Sequence, residues 1–361
     1  MKVAIMGAGL SGLSCAITLE KYGIEPTIFE KRKEVGDRFV NGEIFLSALT
    51  KPLDDPIAHL SEKYGVNLQP VGNIGKLNLY SENEKSEVKG ELGFSTLRGR
   101  KKNSLEKQLQ KQVKSKIIFK SKKTYEDLLK EYTHIVMATG DGAYVEKLRN
   151  YKTDFTVSLI GAIIKGEFDR YTAMAWLDNK IAPKGYGYLI PLSEKEANIV
   201  IGFPDYPENN KLDSKNLRDK FFSRVCKDLK QDFKIIDTFK VTRYIIGHCN
   251  KPRIGNTFFV GNCFGSIMPF LGFGQFEALI TGIYSAEDIC GVRNYENSVK
   301  FLNRSYDNSI VLRKTIEKFN NKQLDTLVNS MDGYLGEKVF NSKKLNTVGF
   351  ISNILKPITK K

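Results

Sequence analysis

Three glycines near the amino terminus have the types and spacing of a phosphate-binding turn. Gly7, Gly9 and Gly12 follow the apolar run 3–6 and open a helical run that extends to about residue 22. In such a turn the first glycine permits a tight bend, the second lets a pyrophosphate approach the backbone, and the third lets the helix pack closely on the sheet. The N-terminus of the helix then offers free N–H groups and a positive dipole end to the phosphates.

An acidic residue follows this turn at the sequence spacing that is typical of a ribose-binding carboxylate. Glu30 lies 23 positions after Gly7, at the end of a second apolar run, where its carboxylate can accept hydrogen bonds from a ribose diol. The strand, helix and acid around the turn disfavour a bare turn without a ligand, and the glycines disfavour a secretion signal. We predict a dinucleotide site that comprises Gly7, Ala8, Gly9, Leu10, Ser11, Gly12, Glu30 and Lys31.

A second glycine-rich segment follows a later apolar strand and precedes another helical run. Asn262, a short amide at the tip of that strand, can hydrogen-bond a polyol such as the ribityl chain of a flavin. Backbone N–H groups near Gly272, Phe273 and Gly274 can face the electron-rich pyrimidine edge of a flavin ring and stabilise negative charge there. Pro269 would stiffen the turn against the ring. The alternative is an ordinary glycine-rich connection between a strand and a helix.

The elements that must position these residues have the order of an α/β fold. The opening strand–helix–strand unit ends near Lys33, and a buried strand at 133–138 ends in a further glycine-rich turn. A strand at 256–260 precedes a helix from Gln275 to about Ile289, and Ser104 is the predicted N-cap of a helix between these segments. The pattern after residue 295 is helical.

The middle of the chain has a different pattern. It holds strand-like runs at 155–164, 172–177, 187–190, 198–203 and 238–246. The polar turn 193–196 predicts a hairpin, and a helical run at about 214–229 interrupts the strands. Such a block of strands predicts an antiparallel sheet that is inserted into a single nucleotide-binding domain.

The glycine segments resemble a known family. Residues 7–30, 138–142 and 261–282 resemble the three fingerprints of FAD-dependent oxidoreductases of the para-hydroxybenzoate hydroxylase-like fold, and the run 185–191 with the strand 198–202 resembles a hairpin of the geranylgeranyl reductase family. The resemblance covers about residues 1–290. It implies an α/β fold with a Rossmann-like FAD-binding domain of the GR2 type, an inserted antiparallel β-sheet substrate domain and a helical C-terminus. The predicted boundaries are 1–75, 96–150 and 251–295 for the FAD-binding domain, 76–95 and 151–250 for the substrate domain, and 296–361 for a C-terminal helical region with a basic tail.

The resemblance also implies roles for further residues. Arg100, ahead of its helix, is similar to the arginine that reaches the cofactor in this family, and Arg38 is a second candidate. Asn262 stands where the family usually has an aspartate, so a charge is lost there that could alter flavin affinity or potential. The further cofactor-binding residues that it implies are Ala138, Thr139, Gly140, Asp141, Gly261, Pro269, Gly272, Phe273 and Gly274.

The family resemblance implies a reaction as well as a cofactor. A geranylgeranyl reductase-like chain would reduce isolated double bonds of a hydrophobic isoprenoid or lipid by hydride from flavin N5. The electron donor would be NADPH, NADH or ferredoxin, the last of these a redox partner protein, and no residue is assigned as catalytic. Trp176, Tyr186 and Tyr188 are candidate substrate-binding wall residues, although aromatic residues of this kind are equally typical of a sheet core.

Two other functions remain open. Asp141 and Gly142, with Arg149 after them, partly match the motif by which aromatic monooxygenases of the same fold serve FAD and NAD(P)H. Such an enzyme would use oxygen at the flavin. The third alternative is a non-catalytic flavin- or lipid-binding protein in which the asparagine at 262 has disabled turnover.

Composition and charge limit the partners. The net charge of +15 is diffuse and accompanies no nucleic-acid-binding motif, and the five scattered cysteines favour a reducing cytosol over disulfides or a metal site. From Lys338 onward lysines are interleaved with apolar residues. One helical face is shared by Val348, Ile351, Ile354 and Leu355. This pattern favours either a helix on an anionic membrane or a final helix packed on the protein. We therefore expect a cytoplasmic protein, with peripheral attachment to the inner face of the membrane as one option.

Overall fold

The computed structural model describes residues 1–50, 53–209, 211–333 and 336. The strands, in chain order, are β1 (Val3–Met6), β2 (Thr27–Phe29), β3 (Asn41–Leu46), β4 (Gly72–Tyr80), β5 (Lys85–Arg98), β6 (Ile117–Ile118), β7 (His134–Met137), β8 (Tyr151–Lys165), β9 (Thr172–Trp176), β10 (Tyr186–Pro191), β11 (Glu196–Pro204), β12 (Lys234–Cys249), β13 (Arg253–Ile254) and β14 (Thr257–Phe259). The helices are α1 (Leu10–Lys21), α2 (Ser47–Thr50), α3 (Pro56–Tyr64), α4 (Leu105–Gln110), α5 (Tyr125–Glu131), α6 (Ala143–Lys147), α7 (Ser214–Leu229), α8 (Gln275–Ile289), α9 (Tyr295–Ser298), α10 (Lys300–Ile316) and α11 (Asn321–Ser330).

The first layer is a six-stranded sheet in the order β13-β14-β7-β1-β2-β6. Its strands are parallel except for β13, which pairs antiparallel with β14. Helix α1 connects β1 to the parallel strand β2, and the apolar side chains of β1 are buried in the main core of the protein. The Rossmann-like arrangement predicted from the sequence is therefore confirmed.

The second layer is an eight-stranded sheet in the order β12-β8-β11-β10-β9-β4-β5-β3. All neighbouring strands are antiparallel except β4 and β9, which pair in parallel. Strand β3 and the start of β4 belong to this sheet because β5 hydrogen-bonds both of them, although they lie within the range 1–75. The predicted hairpin is present as β10 and β11, and the hydroxyl of Ser193 accepts bonds from the N–H groups of Lys195 and Glu196 in its turn.

The C-terminal helices pack against the second sheet. The amide of Asn321 at the start of α11 donates to Asp178 at 2.8 Å, and the side chain of Asn179 donates to the carbonyl of Phe319 at 2.9 Å. The predicted helical pattern is confirmed as far as residue 330, whereas the basic segment from Lys338 onward lies outside the described residues. Among the helices that the structure describes, none has the length and apolar character to cross a membrane.

Candidate active site

A cavity of about 1130 Å³ is lined by residues of both sheets. Its volume exceeds the roughly 300–1,000 Å³ of ordinary ligand pockets, so it suits an extended ligand or two ligands side by side. The predicted site residues that line it are Gly7, Ala8, Gly9, Leu10, Ser11, Glu30, Lys31, Arg38, Ala138, Thr139, Gly140, Asp141, Tyr186, Tyr188, Gly261, Asn262, Pro269, Gly272, Phe273 and Gly274. Three predicted residues, Gly12, Arg100 and Trp176, lie elsewhere.

The glycines of the turn between β1 and α1 have two different roles: two allow close backbone packing and one leaves open space. A Cβ on Gly7 would lie 2.1 Å from the carbonyl oxygen of Ala138, and one on Gly12 would lie 2.0 Å from that of Gly7. These two glycines therefore let backbone segments approach each other. A Cβ on Gly9 would have no protein atom within 4 Å, so this glycine leaves space on the cavity side. No side chain caps α1 at Gly9, and its first N–H groups are available to a ligand.

The carboxylate of Glu30 is fixed beside this turn. Its Oε2 accepts a 2.9 Å hydrogen bond from the N–H of Ala8, and its Oε1 accepts one of 2.9 Å from the N–H of Arg32. The cavity rim near it carries Lys31, Lys122 and Lys123. This end of the cavity therefore combines a held carboxylate with positive charge, which suits a ligand that contains a ribose and phosphates.

The other two glycine segments reach the same cavity. Gly140 (φ +87°) and Gly272 (φ +70°) have left-handed backbones, and a Cβ on either would have no protein atom within 4 Å. Helix α8 begins after Gly274 without a side-chain cap, so its first N–H groups lie at the cavity wall. The three segments thus converge at the carboxyl edge of the parallel strands, where ligands bind in sheets of this type.

Asn262 joins two of these segments through its side chain. Its Nδ2 donates to the carbonyl oxygen of Gly140 at 2.8 Å and to the hydroxyl of Tyr244 at 2.5 Å, while its Oδ1 accepts from the hydroxyl of Ser266 at 2.9 Å. Both ends of the amide are therefore engaged. Tyr244 comes from β12, so this contact also connects the second sheet to the turn.

Of the two arginines at the end of β5, Arg98 rather than Arg100 lines the cavity. Arg100 is half exposed and pairs with Asp237 outside the cavity, whereas Arg98 lines it with a side chain that is 14% exposed. Nε of Arg98 donates to Glu106 at 2.8 Å, and its Nη1 donates to Glu43 at 3.2 Å. The prediction chose the residue nearer to the helix start, but β5 ends at Arg98 and turns outward at Gly99 (φ +98°).

Glu43 belongs to a polar network that the sequence analysis missed. Burial, the largest single influence, raises its pKa, but Arg98 and Arg38 together with hydrogen bonds from Gln275 and Asn41 outweigh burial and lower the pKa below its usual value. Gln275 donates from Nε2 to Glu43 and to Thr96, the latter at 3.0 Å. Its Oε1 is buried without a hydrogen-bond partner among the described residues, so it is available to a donor on a ligand.

Tyr186 and Tyr188 lie side by side on the cavity face of β10, with ring centroids 6.0 Å apart. The hydroxyl of Tyr188 donates to Oδ1 of Asn41 at 3.2 Å, and that of Tyr186 donates to the carbonyl of Leu271. Burial raises the pKa of both hydroxyls above the usual tyrosine value. Both phenols therefore remain protonated at neutral pH.

Trp176 lies on the opposite face of the second sheet. It pairs directly with Gly187, whereas Ala175 pairs with Tyr188, and residues that are directly opposite each other share a face. The indole stacks on Tyr80 with centroids 5.0 Å apart, and its Nε1 donates to Asp228 of α7 at 2.7 Å. Trp176 is therefore a core residue beneath α7 and does not form the cavity wall.

Residues outside the predicted set complete the wall. Phe155, Val157 and Leu159 are alternate residues of β8 and contribute side chains from one face of that strand. Arg313 of α10 is a cationic residue at this part of the cavity. The cavity therefore passes from glycine-rich backbone at one end to aromatic and aliphatic side chains at the other.

Comparison with known families and curated proteins finds likeness over part of the chain. Residues 1–159 match the family described as pyridine nucleotide-disulphide oxidoreductase. The NAD-dependent dihydropyrimidine dehydrogenase subunit PreT of Escherichia coli O157:H7 is 40% identical over 75 residues, which are 21% of this chain and 18% of that protein. The chain thus matches less than a fifth of the length of this curated relative.

Solved structures match nearly the whole chain at low identity. A geranylgeranyl bacteriochlorophyll reductase-like protein from Thermoplasma acidophilum has a TM-score of 0.75 at 17% identity, over 99% of this chain and 97% of that one. The flavin-dependent brominase Bmp2 has a TM-score of 0.66 at 14% identity, over 100% and 98% of the two chains. The tetrameric form of 2-methyl-3-hydroxypyridine-5-carboxylic acid oxygenase has a TM-score of 0.63 at 15% identity, over 96% and 97%. At these identities the likeness shows a shared fold.

Proposed function

Because the chain has the fold of FAD-dependent oxidoreductases and resembles the geranylgeranyl reductase family, we propose that it binds FAD and reduces isolated double bonds of an isoprenoid or lipid chain. The observation that carries the proposal is the character of the cavity. Glycine-rich backbone and a held carboxylate at one end suit a dinucleotide, and the apolar wall at the other end suits a hydrocarbon chain.

The residues at the glycine-rich end fit FAD. The space left by Gly9, Gly140 and Gly272 holds no atom of the residues that the structure describes, so it accommodates a ligand that approaches the backbone. The turn that begins at Gly7 would hold the pyrophosphate, and Glu30 would hold the adenosine ribose. Oδ1 of Asn262 has a second lone pair for a ribityl hydroxyl. When bound and reduced, FAD supplies a hydride for transfer to a carbon–carbon double bond.

The chain's own residues would exclude water and supply a proton. Phe155, Val157 and Leu159 provide an apolar surface against which a hydrocarbon chain displaces water. Tyr186 and Tyr188 hold protons on their hydroxyls, and they are the candidates for protonation of the second alkene carbon. Ionised Glu43 beside Arg98 keeps a fixed charge pair at the cavity without acting as an acid.

The test is anaerobic reduction of the purified protein, followed by mass spectrometry of added polyprenyl lipids. Addition of two hydrogen atoms per double bond, with reoxidation of the flavin, is the expected result. A reduced flavin that leaves the lipids unchanged, yet reacts rapidly with air, would contradict the proposal for those substrates. A protein with bound FAD but no turnover of either kind would favour the non-catalytic alternative.

An aromatic monooxygenase is the second candidate. It is supported by the fold shared with a structure named as an oxygenase and by the partial motif of Asp141, Gly142 and Arg149. Arg149 does not line the cavity, although Asp141 does. Rapid oxidation of NADPH, with oxygen consumption that an aromatic acid stimulates and with a hydroxylated product, would favour this function.

The electron donor and the place of action belong to the same proposal. NADPH, NADH and a reduced ferredoxin are tested separately as reductants of the bound flavin under anaerobic conditions. We also propose that the lysine-rich segment from Lys338 onward attaches the cytoplasmic protein to an anionic membrane. Sedimentation with anionic but not with neutral vesicles would support the attachment, and equal binding to both would contradict it.

A further inference from the structure

A buried arginine lies in the apolar part of the cavity. Arg313 of α10 is 6% exposed, lines the cavity and places its guanidinium 5.2 Å from the ring centroid of Phe155. Tyr186 and Leu271 line the same cavity, and the hydroxyl of Tyr186 donates to the carbonyl of Leu271. A guanidinium at such a surface needs acceptors for its N–H groups because a buried donor without one is costly.

Two of the three nitrogens of Arg313 are held by the protein. Nε donates to Glu317, one turn along α10, and Nη2 donates to the carbonyl of Lys184 at 2.8 Å. The hydroxyl of Tyr206 in turn donates to both oxygens of Glu317, at 3.0 and 2.9 Å. Within the part of the chain that the structure describes, Nη1 has neither a hydrogen bond nor an ion pair.

A second arginine, Arg224, makes similar contacts but has a purely structural role. Arg224 of α7 donates from Nε to Asp228, also one turn along its helix, at 2.7 Å and from Nη2 to the carbonyl of Ser81 at 2.7 Å. Its Nη1 lies 3.6 Å from Asp178, so all three nitrogens meet the protein. Arg224 does not line the cavity. The two sites differ at Nη1, which has a protein partner in Arg224 and has none among the described residues in Arg313.

We propose that Nη1 of Arg313 binds a neutral carbonyl oxygen at one end of an otherwise apolar ligand. This inference deepens the proposed function by naming the polar group of the substrate. A neutral oxygen is favoured over an anion because Glu317 already balances the charge of the guanidinium. A carbonyl bonded in this apolar surrounding would fix the chain in one register along the cavity.

The experiment measures binding of three ligands of equal chain length to the flavin-loaded protein, by the change in flavin fluorescence. The ligands are an unsaturated hydrocarbon, the corresponding methyl ketone and the corresponding carboxylic acid. The ketone is expected to bind the wild type at least about tenfold more tightly than the hydrocarbon, as expected for a hydrogen bond to a charged group. Arg313→Gln should abolish this difference, and Arg224→Gln should preserve it.

A second variant keeps the inference testable if Arg313→Gln does not fold. Glu317→Gln retains the guanidinium but removes its counter-charge, so the carboxylic acid should gain affinity while the hydrocarbon does not. Equal affinities of ketone and hydrocarbon in the wild type would overturn the inference, as would an unchanged preference for the ketone in Arg313→Gln. Failure of alkene reduction with an intact, Arg313-dependent ketone preference would reject the proposed reaction and leave this inference standing.

Discussion

The side-chain amide of Asn262 donates to the carbonyl oxygen of Gly140 across a distance of 2.8 Å. This bond joins the turn after β14 to the turn after β7, two of the three glycine segments that meet at the cavity. Only a side chain with both a donor and an acceptor can bond this carbonyl and also accept from Ser266. The asparagine that departs from the resembled family meets both requirements, whereas an ionised aspartate has no donor.

Asn262→Asp should weaken both the fold and the cofactor site. An aspartate has the same shape but no donor for the carbonyl of Gly140, and its negative charge would face that oxygen. We expect a lower melting temperature, with a cost of about 1 kcal/mol for the lost bond, since the hydroxyl of Tyr244 still donates to this carbonyl at 3.3 Å. If FAD binds as proposed, the added negative charge in its site should also make the flavin midpoint potential more negative.

The control for this variant is Ser266→Ala, which removes one bond to Asn262 and adds no charge. It should reduce stability slightly and leave the flavin midpoint potential unchanged. Calorimetry of the apoprotein and a redox titration of the flavin-loaded protein measure the two effects. If Asn262→Asp has the melting temperature and the flavin midpoint potential of the wild type, the amide of Asn262 contributes to neither.

Gly9→Ala and Gly12→Ala separate a ligand-facing glycine from a packing glycine. Gly9 has φ −87°, which alanine adopts, and a Cβ there would point into open space, so the apoprotein should fold with little loss of stability. FAD affinity should fall by about tenfold or more because the methyl group occupies space that the pyrophosphate needs. Titration of the apoprotein with FAD, followed by flavin fluorescence, measures the change.

Gly12→Ala should have the opposite pattern. Its Cβ would lie 2.0 Å from the carbonyl of Gly7, so the helix must move away from the turn and stability should fall by about 1–3 kcal/mol. Urea denaturation of the apoprotein tests this. Equal loss of stability in the two alanine variants would mean that Gly9 also serves packing.

Local signals explain what the sequence predicted well. The glycine turn, the helix from Gln275 and the hairpin at 193–196 depend on contacts between residues close in the chain, so short patterns were sufficient. The pairing of distant strands could not be predicted from such short patterns. Glu43, Arg98 and Gln275 meet only because β3 pairs with β5 and α8 begins beside both, and no short pattern records this.

Strand register decides the placement of the aromatic residues. The sequence shows that Trp176, Tyr186 and Tyr188 belong to strands, and alternation puts the two tyrosines on one face. Whether Trp176 shares that face depends on its pairing with Gly187, which only the structure supplies. The same reason applies to Arg313, whose helical pattern was visible but whose packing against the cavity was not.

Arg98→Met should destabilise the protein far more than Arg100→Met. Removal of Arg98 takes away the cation that pairs with both buried carboxylates, Glu43 and Glu106, at a cost of about 3–5 kcal/mol. Arg100 is half exposed beside Asp237, so its replacement should cost about 1 kcal/mol or less. Urea denaturation of the two variants gives the comparison, and similar losses would indicate that the charge network contributes little.

The lowered pKa of Glu43 predicts an acid-dependent contribution to stability. A carboxyl whose pKa is lower in the folded than in the unfolded protein stabilises the fold above the unfolded value of about 4.3, and this stabilisation disappears as the pH falls through the folded value. Glu43→Gln removes this titration. The wild type should therefore be more stable than the variant at pH 7, and the difference should shrink below about pH 4.3.

Urea denaturation of both proteins between neutral and acidic pH measures this difference. Glu167→Gln is the control because Glu167 is exposed beside Lys195 and lies far from the cavity wall. Its effect on stability should be small at every pH. A difference between wild type and Glu43→Gln that stays constant through the acid range would show that Glu43 is not held ionised by its neighbours.

Tyr186→Phe and Tyr188→Phe test the source of the proton in the proposed reduction. Both hydroxyls have a raised pKa, so neither phenol should add a titration step to wild-type turnover of a lipid alkene between about pH 6 and 9. Loss of the donating hydroxyl should lower the rate by about 10²–10⁴-fold with little change in lipid binding, since the ring remains. The other variant serves as the matched control because its ring lies 6.0 Å away in the same wall. If neither variant nor the double variant slows the reaction, the proton comes from water or from a residue outside this pair.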